Sequence, residues 1–162
     1  MNDLSLVIPA KNEKDSLPKV LDELKSYNLE IIIVLEESDK ETINSIKDYK
    51  CKLIFQKNKG YGDALINGIK SVQTKFFCIF NADGSFNPIE LNQMYEKLTL
   101  NNNDFIFASR YENNCSSEDD TIITYIGNFI FTKIGNIFFN LNKFVIFFCI
   151  TTFRYFPVPI YF

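Results

Sequence analysis

The sequence predicts an α/β fold in which helices cover both faces of a mostly parallel central sheet. Short apolar runs of strand length alternate along the chain with segments whose apolar residues recur at helical spacing, the pattern of βαβ units. The run Glu30–Leu35 (EIIIVL) is apolar without alternation, as expected for a strand buried on both faces. The 162 residues are enough for one domain with a sizeable core.

The predicted strands are short apolar runs bounded by polar or turn-forming residues. The first run ends at Pro9, which has no backbone N–H to donate. In chain order the predicted strands are Leu4–Ile8, Glu30–Leu35, Lys52–Phe55, Phe76–Phe80 and Asp104–Ala108.

The helices between these strands are predicted from their start signals and their apolar spacing. Ser16 can cap the first helix, and Asn87 with Glu90 three residues later has the spacing of a capping box at the fourth. The predicted helices follow Ser16, span Thr42–Tyr49, run from Gly60 to Val72, and follow Asn87.

Composition excludes several classes of site. The net charge of −3 gives no electrostatic footprint for nucleic acid, so no nucleic-acid partner is expected. The absence of histidine excludes Ser-His-Asp and Cys-His nucleophiles and His-ligated zinc. The four cysteines are far apart, which argues against a disulfide framework and favours a reducing, cytoplasmic setting. The apolar run Leu4–Ile8 is too short for a signal segment.

Polar clusters follow each of the first four predicted strands. In a doubly wound sheet, ligands bind beyond the carboxyl ends of the strands, where these clusters should meet. They are Pro9–Glu13, Glu36–Asp39, Asn58–Gly62 and Asn81–Asp83.

Asp83, in the stretch FNADGS, lies on the turn that leaves the fourth strand. A carboxylate there is well placed to hold Mg²⁺ or Mn²⁺ against a diphosphate, because these ions favour oxygen ligands and Mg²⁺ usually takes one or two carboxylates plus phosphate oxygens. The alternative is a plain turn, since Asp-Gly is a common turn pair.

The other clusters each allow two interpretations. The segment Lys59–Gly62 offers backbone N–H groups at a helix start for an anion, or forms a left-handed turn. Asn12 and Glu13 can contact a base or ribose, or cap the first helix. Glu36 can accept from ribose hydroxyls, or lie in a solvated loop. Arg110, at the end of the fifth strand, can lie near a phosphate or at the surface.

Taken in order, these motifs resemble the inverting family 2 glycosyltransferases, and most of all their dolichol-phosphate mannose synthase-like branch. The resemblance covers residues 4–111 and rests on the segments VIPAKNE, EIIIVLEES, NKGYGDALINGI, FNADGSFNP and FASRY. It implies the GT-A fold, a Rossmann-like sandwich that binds nucleotide-diphospho-sugars, and transfer of a hexose to an acceptor.

The resemblance also implies the roles of individual residues. Asp83, with Asn81, would ligate Mg²⁺ or Mn²⁺, and no catalytic base is identified. The partners implied are a UDP- or GDP-linked sugar, a lipid-phosphate or glycan acceptor, and the inner face of a membrane. The residues implied to line the nucleotide site are Pro9, Ala10, Asn12, Glu13, Glu36, Lys59, Gly60 and Asp83.

The chain departs from the family pattern at several positions. Leu35 and Glu37 replace the first Asp and the Gly of the family's D-D-G-S turn, and Asn81 stands where an Asp is common. The predicted organisation is a nucleotide-sugar-binding domain over 1–111, a linker and apolar helical region over 112–142 that begins the acceptor side, and an atypical aromatic tail over 143–162. The tail is interpreted as a membrane-surface segment or as an ending that is not native.

Two rival functions are consistent with parts of the sequence. A sugar-phosphate nucleotidyltransferase would use a related α/β scaffold, but it usually has a Gly-rich, basic loop after the first strand, where this chain has PAKNE. A catalytically incomplete nucleotide-binding remnant would account for Leu35, Asn81 and the absence of any Asp or Glu after Asp120.

Overall fold

The computed structural model describes residues 2–100, 104–107, 126, 130, 133–134 and 151–154. The described chain begins with the predicted alternation of strands and helices. The strands are β1 (Leu4–Pro9), β2 (Glu30–Leu35), β3 (Lys52–Phe55), β4 (Phe76–Ile79), β5 (Phe105–Phe107) and β6 (Thr151–Arg154). The helices within residues 2–100 are α1 (Leu17–Leu24), α2 (Lys40–Ser45), α3 (Tyr61–Lys70) and α4 (Ile89–Leu100).

The strands form one mostly parallel sheet with the order β3-β2-β1-β4-β6-β5. β1 pairs in parallel with β2 on one side and β4 on the other, so that Val7 faces Ile32 and Ile79 in the register. Both faces of β1 are covered, since Leu6 and Ile8 on one face and Val7 on the other are fully buried. The predicted α/β fold is therefore confirmed.

Strand β6 lies within the segment that the sequence analysis described as an aromatic tail. Thr151–Arg154 pairs antiparallel with β4, with Thr151 beside Ile79 and Arg154 beside Phe76. These four residues add a strand that was not predicted, because the pairing joins segments more than seventy residues apart and leaves no local signal.

The chain forms two compact units, Met1–Ile106 with Thr151–Phe162, and Phe107–Ile150. In the second unit, the described residues 126, 130 and 133–134 are helical. Arg110, most of the predicted region 112–142 and most of the tail lie outside the described residues. The boundaries near 111 and 142 stay predictions.

The ends of two helices differ from the prediction. Ser16 does not cap α1 through its side chain, because its hydroxyl instead donates to the Glu13 carboxylate. Helix α2 begins at Lys40 rather than Thr42, because the carboxylate of Asp39 accepts from the backbone N–H of Thr42 at 3.2 Å and caps it. At α4 the prediction is confirmed in part, since Asn87 Oδ1 accepts from the N–H of Ile89 at 3.0 Å.

Helix α3 packs against β1, β2 and β3 at very short range. A Cβ atom at Gly68 would lie 2.4 Å from Val7 Cγ1 and 2.9 Å from Val34 Cγ2, so only glycine allows this approach. Since α3 leaves the carboxyl end of β3, its first turn is fixed at the carboxyl edge of the sheet. The core cluster under α3 contains Val7, Ile32, Val34, Ala64, Val72 and Phe77.

Candidate functional site

The loops after β1 and β2 are joined directly at the carboxyl edge of the sheet. Ala10 extends the ladder beyond β1 by donating its N–H to the carbonyl of Val34 at 2.9 Å. Beyond it, Lys11 Nζ lies 3.1 Å from Glu36 Oε1. The Pro9–Glu13 loop is therefore held against the second loop by both backbone and side-chain contacts.

Asp39 is the residue that fixes the conformation of Asn12. The Asn12 backbone is left-handed, with φ of 59°, and its N–H donates to Asp39 Oδ2 at 2.7 Å. Burial acts to raise the pKa of the Asp39 carboxyl, but the hydrogen bonds from Asn12 and Thr42 outweigh it, so the pKa is lowered. Sequence reasoning placed Asp39 in the polar cluster and missed this role, although an Asp three residues before Thr42 is a recognisable N-cap signal.

The backbone of Glu13 is held by a buried hydroxyl. Its N–H donates to Thr42 Oγ1 at 3.0 Å, and Thr42 is fully buried. The Glu13 carboxylate accepts from the hydroxyl of Ser16, at the start of α1. In this structure Glu13 thus bonds at the helix start, as in the capping alternative, and its role toward a nucleotide stays a prediction.

Replacing Thr42 with valine should loosen the first loop. Valine has nearly the same shape and lacks the acceptor, so the Glu13 N–H would lose its partner in a partly buried place. We expect the free energy of unfolding to fall by about 1–3 kcal/mol, as measured by urea denaturation. Thr99→Val on the exposed face of α4 is the matched control and should change stability by less than about 0.5 kcal/mol. Equal stabilities of the two variants would contradict this role of Thr42.

Glu36 lies among cations from two different loops. Its partly buried carboxylate pairs with Lys11 and accepts from the Ser38 hydroxyl at 3.3 Å. The hydrogen bond from Lys11 is the main cause that lowers the pKa of Glu36, and the charge of Lys59 acts in the same direction. Lys11 and Lys59 therefore bring positive charge to one part of the edge, where phosphate oxygens can be held.

Asp63 fastens the loop before α3 to the first turn of that helix. Its Oδ2 accepts from the backbone N–H groups of Lys57 and Asn58, both at 2.9 Å, and from Asn67 Nδ2 at 2.8 Å. The pKa of Asp63 is lowered, first because of the backbone hydrogen bond from Asn58. Asp63 and Asn67 were not identified from the sequence. An acidic residue in the first turn of a helix has the same local sequence whether its carboxylate is solvated or accepts hydrogen bonds from the preceding loop.

Gly60 makes the turn into α3 with φ of 108° and ψ of 156°, a conformation open essentially to glycine alone. Apart from the adjacent residues and the helix's own backbone, no atom of the described residues lies within 4 Å of a Cβ built at Gly60 or at Gly62. Within the described part of the chain, the first turn of α3 therefore presents an uncovered surface beside Lys59.

Asp83 lies on an exposed turn whose ends are anchored in the core. Its Oδ1 accepts from the Ser85 N–H at 2.9 Å, which is the turn expected for Asp-Gly, and Gly84 has φ of 80°. Phe80 and Phe86 pack edge to face at 5.5 Å below this turn. The hydrogen bond of the turn uses Asp83 Oδ1, and Oδ2 takes no part in that bond.

Asn81 is the second residue predicted to meet a metal ion. Its Nδ2 donates to Ser85 Oγ at 3.1 Å, so the donor half of the amide is used and the oxygen is the atom that could ligate. Within the described part of the chain, no group of three or more Asp, Glu or Cys side chains could hold a metal ion. A single carboxylate and an amide fit a cation that shares its coordination with phosphate oxygens.

The structure thus carries the predicted site residues at the ends of four neighbouring parallel strands. Ala10 and Leu35 are buried, which means that Leu35 cannot present a side chain to a ligand. The residues come from the loop after β1 (Pro9, Ala10, Asn12, Glu13), the loop after β2 (Glu36), the loop after β3 (Lys59, Gly60) and the loop after β4 (Asn81, Asp83).

Comparison with solved structures supports the same architecture. Glucosyl-3-phosphoglycerate synthase from Mycobacterium tuberculosis, solved in complex with Mn²⁺, UDP and phosphoglyceric acid, superposes with a TM-score of 0.72. The alignment covers 94% of this chain and 56% of that one at 13% identity. At this level of identity the likeness shows the fold, and the GT-A architecture is confirmed.

Proteins that are similar to this chain in sequence include two named sugar transferases. A UDP-N-acetylglucosamine–dolichyl-phosphate N-acetylglucosaminyltransferase from Methanococcus voltae is 24% identical over 145 residues, covering 76% of this chain and 58% of the relative. A dolichol-phosphate mannosyltransferase from Pyrococcus furiosus is 28% identical over 117 residues, covering 67% of this chain and 33% of the relative. The chain spans about half the length of the first curated relatives that it matches.

The match to a family model is the most extensive of these similarities. The model for glycosyl transferase family 2 matches residues 5–160, nearly the whole chain and all four loops of the site. The chain therefore belongs to glycosyl transferase family 2.

Proposed function

We propose that this chain binds a nucleotide-diphospho-sugar, UDP- or GDP-linked, together with a divalent cation, for inverting transfer of the hexose to an acceptor. The observation that carries the proposal is that Asp83 and three other polar loops follow neighbouring parallel strands, at the carboxyl edge of a family 2 sheet. Ligands of open α/β sheets bind at such edges.

The nucleotide would lie across the first three loops. Asn12 and Glu13 follow β1, and Glu36 follows β2, so base and ribose would meet these residues between neighbouring strands. The cations of Lys11 and Lys59 both act on Glu36, and the same charges would attract the diphosphate. When a nucleotide binds, Glu36 would exchange part of its pairing with Lys11 for ribose hydroxyls.

Asp83 and Asn81 would hold Mg²⁺ or Mn²⁺ against the diphosphate. The ion would supply Lewis-acid stabilisation of the departing nucleoside diphosphate. The two side chains offer one negative charge between them, so the diphosphate oxygens must complete the coordination. Cation and nucleotide should therefore bind together, and each should bind only weakly alone.

The acceptor that we propose is a lipid phosphate at a membrane surface, in line with the dolichyl-phosphate acceptors in the names of two relatives. A phosphate acceptor is already an anion and needs no general base to become a nucleophile, whereas a hydroxyl on a glycan acceptor would need one. In the described ranges no helix is both long and apolar enough to cross a membrane.

A nucleotide-binding remnant is the second candidate, and specific observations favour it. Leu35 is buried where the family usually has an Asp, and Asn81 lowers the charge available to the cation. Such a protein would bind the nucleotide without transferring or hydrolysing the sugar. Membership of family 2 argues against the nucleotidyltransferase rival.

The test is calorimetric titration of UDP, GDP and CDP, each with and without Mn²⁺, followed by incubation with the matching nucleotide-sugar and a short polyprenyl phosphate. We expect one nucleotide to bind with a strong dependence on Mn²⁺ and its sugar to reach the lipid. Binding without transfer or hydrolysis would establish the remnant. Failure of a folded protein to bind any of the three nucleotides would overturn the proposed function.

A further inference from the structure

Tyr61 is an exposed aromatic residue whose hydroxyl has no hydrogen-bond partner among the described residues. It is the first residue of α3, directly after the Gly60 turn, and 58% of it is exposed, more than Phe55 or Phe105. Tyr49 and Tyr95 donate from their hydroxyls to Asp22 and Asp3. Among the described residues, by contrast, none accepts a hydrogen bond from the Tyr61 hydroxyl.

The backbone on both sides of Tyr61 is uncovered by the rest of the described chain. Apart from the adjacent residues and the helix's own backbone, no described atom lies within 4 Å of a Cβ built at Gly60 or Gly62. The conformation of Gly60 requires glycine, but Gly62 is helical and has no positive φ, so neither its backbone conformation nor the space around it requires glycine. Glycine inside a helix costs about 0.5–1 kcal/mol relative to alanine. Bare backbone beside an unpartnered tyrosine is the arrangement expected where a ligand approaches the chain closely.

Tyr61 and Asp83 both lie at the carboxyl edge of the sheet. Helix α3 packs over β1 and β2, and β4, which leads to Asp83, is the neighbour of β1. The partial burial of Tyr61 raises the pKa of its hydroxyl, and the negative charge of Asp83 raises it further. The hydroxyl therefore stays protonated at neutral pH and can act as a hydrogen-bond donor within electrostatic reach of Asp83.

We propose that Tyr61 contacts the donor substrate directly, and that its hydroxyl donates a hydrogen bond to an oxygen of the sugar-linked phosphate of the nucleotide-diphospho-sugar bound at Asp83. The inference rests on the proposed function and adds a residue to that site. A neutral donor fixed on a helix start stabilises the negative charge that develops on the leaving diphosphate without adding another charge to the edge. The diphosphate supplies the acceptor that the hydroxyl lacks.

The test compares Tyr61→Phe with the wild-type protein in calorimetric titrations of UDP and UMP in the presence of Mn²⁺, or of GDP and GMP if guanine is the base selected. Phenylalanine keeps the ring and removes only the hydroxyl. We expect the affinity for the diphosphate to fall about tenfold, as for one hydrogen bond to a charged group, and that for the monophosphate by less than about twofold.

Tyr49→Phe is the matched control, because it removes a tyrosine hydroxyl near the amino end of β3, at the opposite edge of the sheet, and should leave diphosphate affinity unchanged. An unchanged diphosphate affinity in Tyr61→Phe would overturn the inference and leave the proposed function intact. Equal losses for diphosphate and monophosphate would also overturn it, since the hydroxyl would then act elsewhere on the nucleotide. Absence of nucleotide binding by the wild-type protein would overturn both proposals.

Discussion

Replacing Asp83 with alanine should abolish Mn²⁺-dependent nucleotide binding and leave the fold intact. Asp83 is the only charged residue of the Asn81–Asp83 pair, so its loss leaves a neutral amide to hold a divalent cation. Loss of a partner outside the coordination shell of a metal already costs about 10–100-fold in affinity, and loss of the carboxylate ligand itself should cost at least roughly a hundredfold. Calorimetric titration of the selected nucleotide with and without Mn²⁺ measures the effect.

The fold should survive this substitution because Asp83 is exposed and, among the described residues, its one hydrogen bond is from the N–H of Ser85. Loss of that turn bond costs about 0.5–1.5 kcal/mol. Asp48→Ala is the matched control: Asp48 is also exposed and lies just before β3, at the opposite edge of the sheet. If Asp83→Ala bound the nucleotide with the wild-type dependence on Mn²⁺, the assignment of the metal site would be wrong.

Replacing Gly68 with alanine should produce the largest loss of stability. The added Cβ would lie 2.4 Å from Val7 Cγ1 and 2.9 Å from Val34 Cγ2, closer than carbon atoms can approach. Both valines are fully buried in neighbouring strands and cannot turn away into solvent. Helix α3 must therefore shift away from the sheet, and overpacking of this kind costs about 1–3 kcal/mol or more. Urea denaturation measures the change.

A second glycine in the same helix provides the control for this prediction. Among the described residues, no atom outside the adjacent residues and the helix's own backbone lies within 4 Å of a Cβ at Gly62, so Gly62→Ala should keep or slightly raise stability through the higher helix propensity of alanine. Similar unfolding midpoints for the two variants would show that α3 does not depend on close contact with β1 and β2. A displaced α3 would also move Lys59 and Tyr61, so Gly68→Ala should weaken nucleotide binding as well.

The strands that precede the candidate site were predictable because each buried strand is a continuous run of apolar residues in the sequence. The runs Leu4–Ile8, Glu30–Leu35 and Lys52–Phe55 agree with the observed strands to within one residue. A parallel strand buried on both faces needs a continuous apolar run, and such a run can be recognised without knowing which strands pair with it. Parallel order then places the polar turns after β1 to β4 at one edge.

Features that depend on distant partners were not predictable. Strand β6 is a strand because it pairs with β4, and nothing within Thr151–Arg154 indicates that pairing. Ser16 has a good capping side chain but uses it on Glu13 instead. In both cases a tertiary contact decides between conformations that local propensity leaves almost equal.

The α/β alternation, the family motifs and the four polar turns can be predicted from the sequence, because each depends on residues that are adjacent in the chain. The full set of hydrogen bonds that each acid makes is known only from the folded arrangement. Asp39 and Asp63 accept hydrogen bonds from loop backbone and hold the edge in place, whereas Asp83 is exposed toward solvent. The three side chains are chemically identical, so their neighbours in space separate the two acids that hold the loops from Asp83, which we propose meets a ligand.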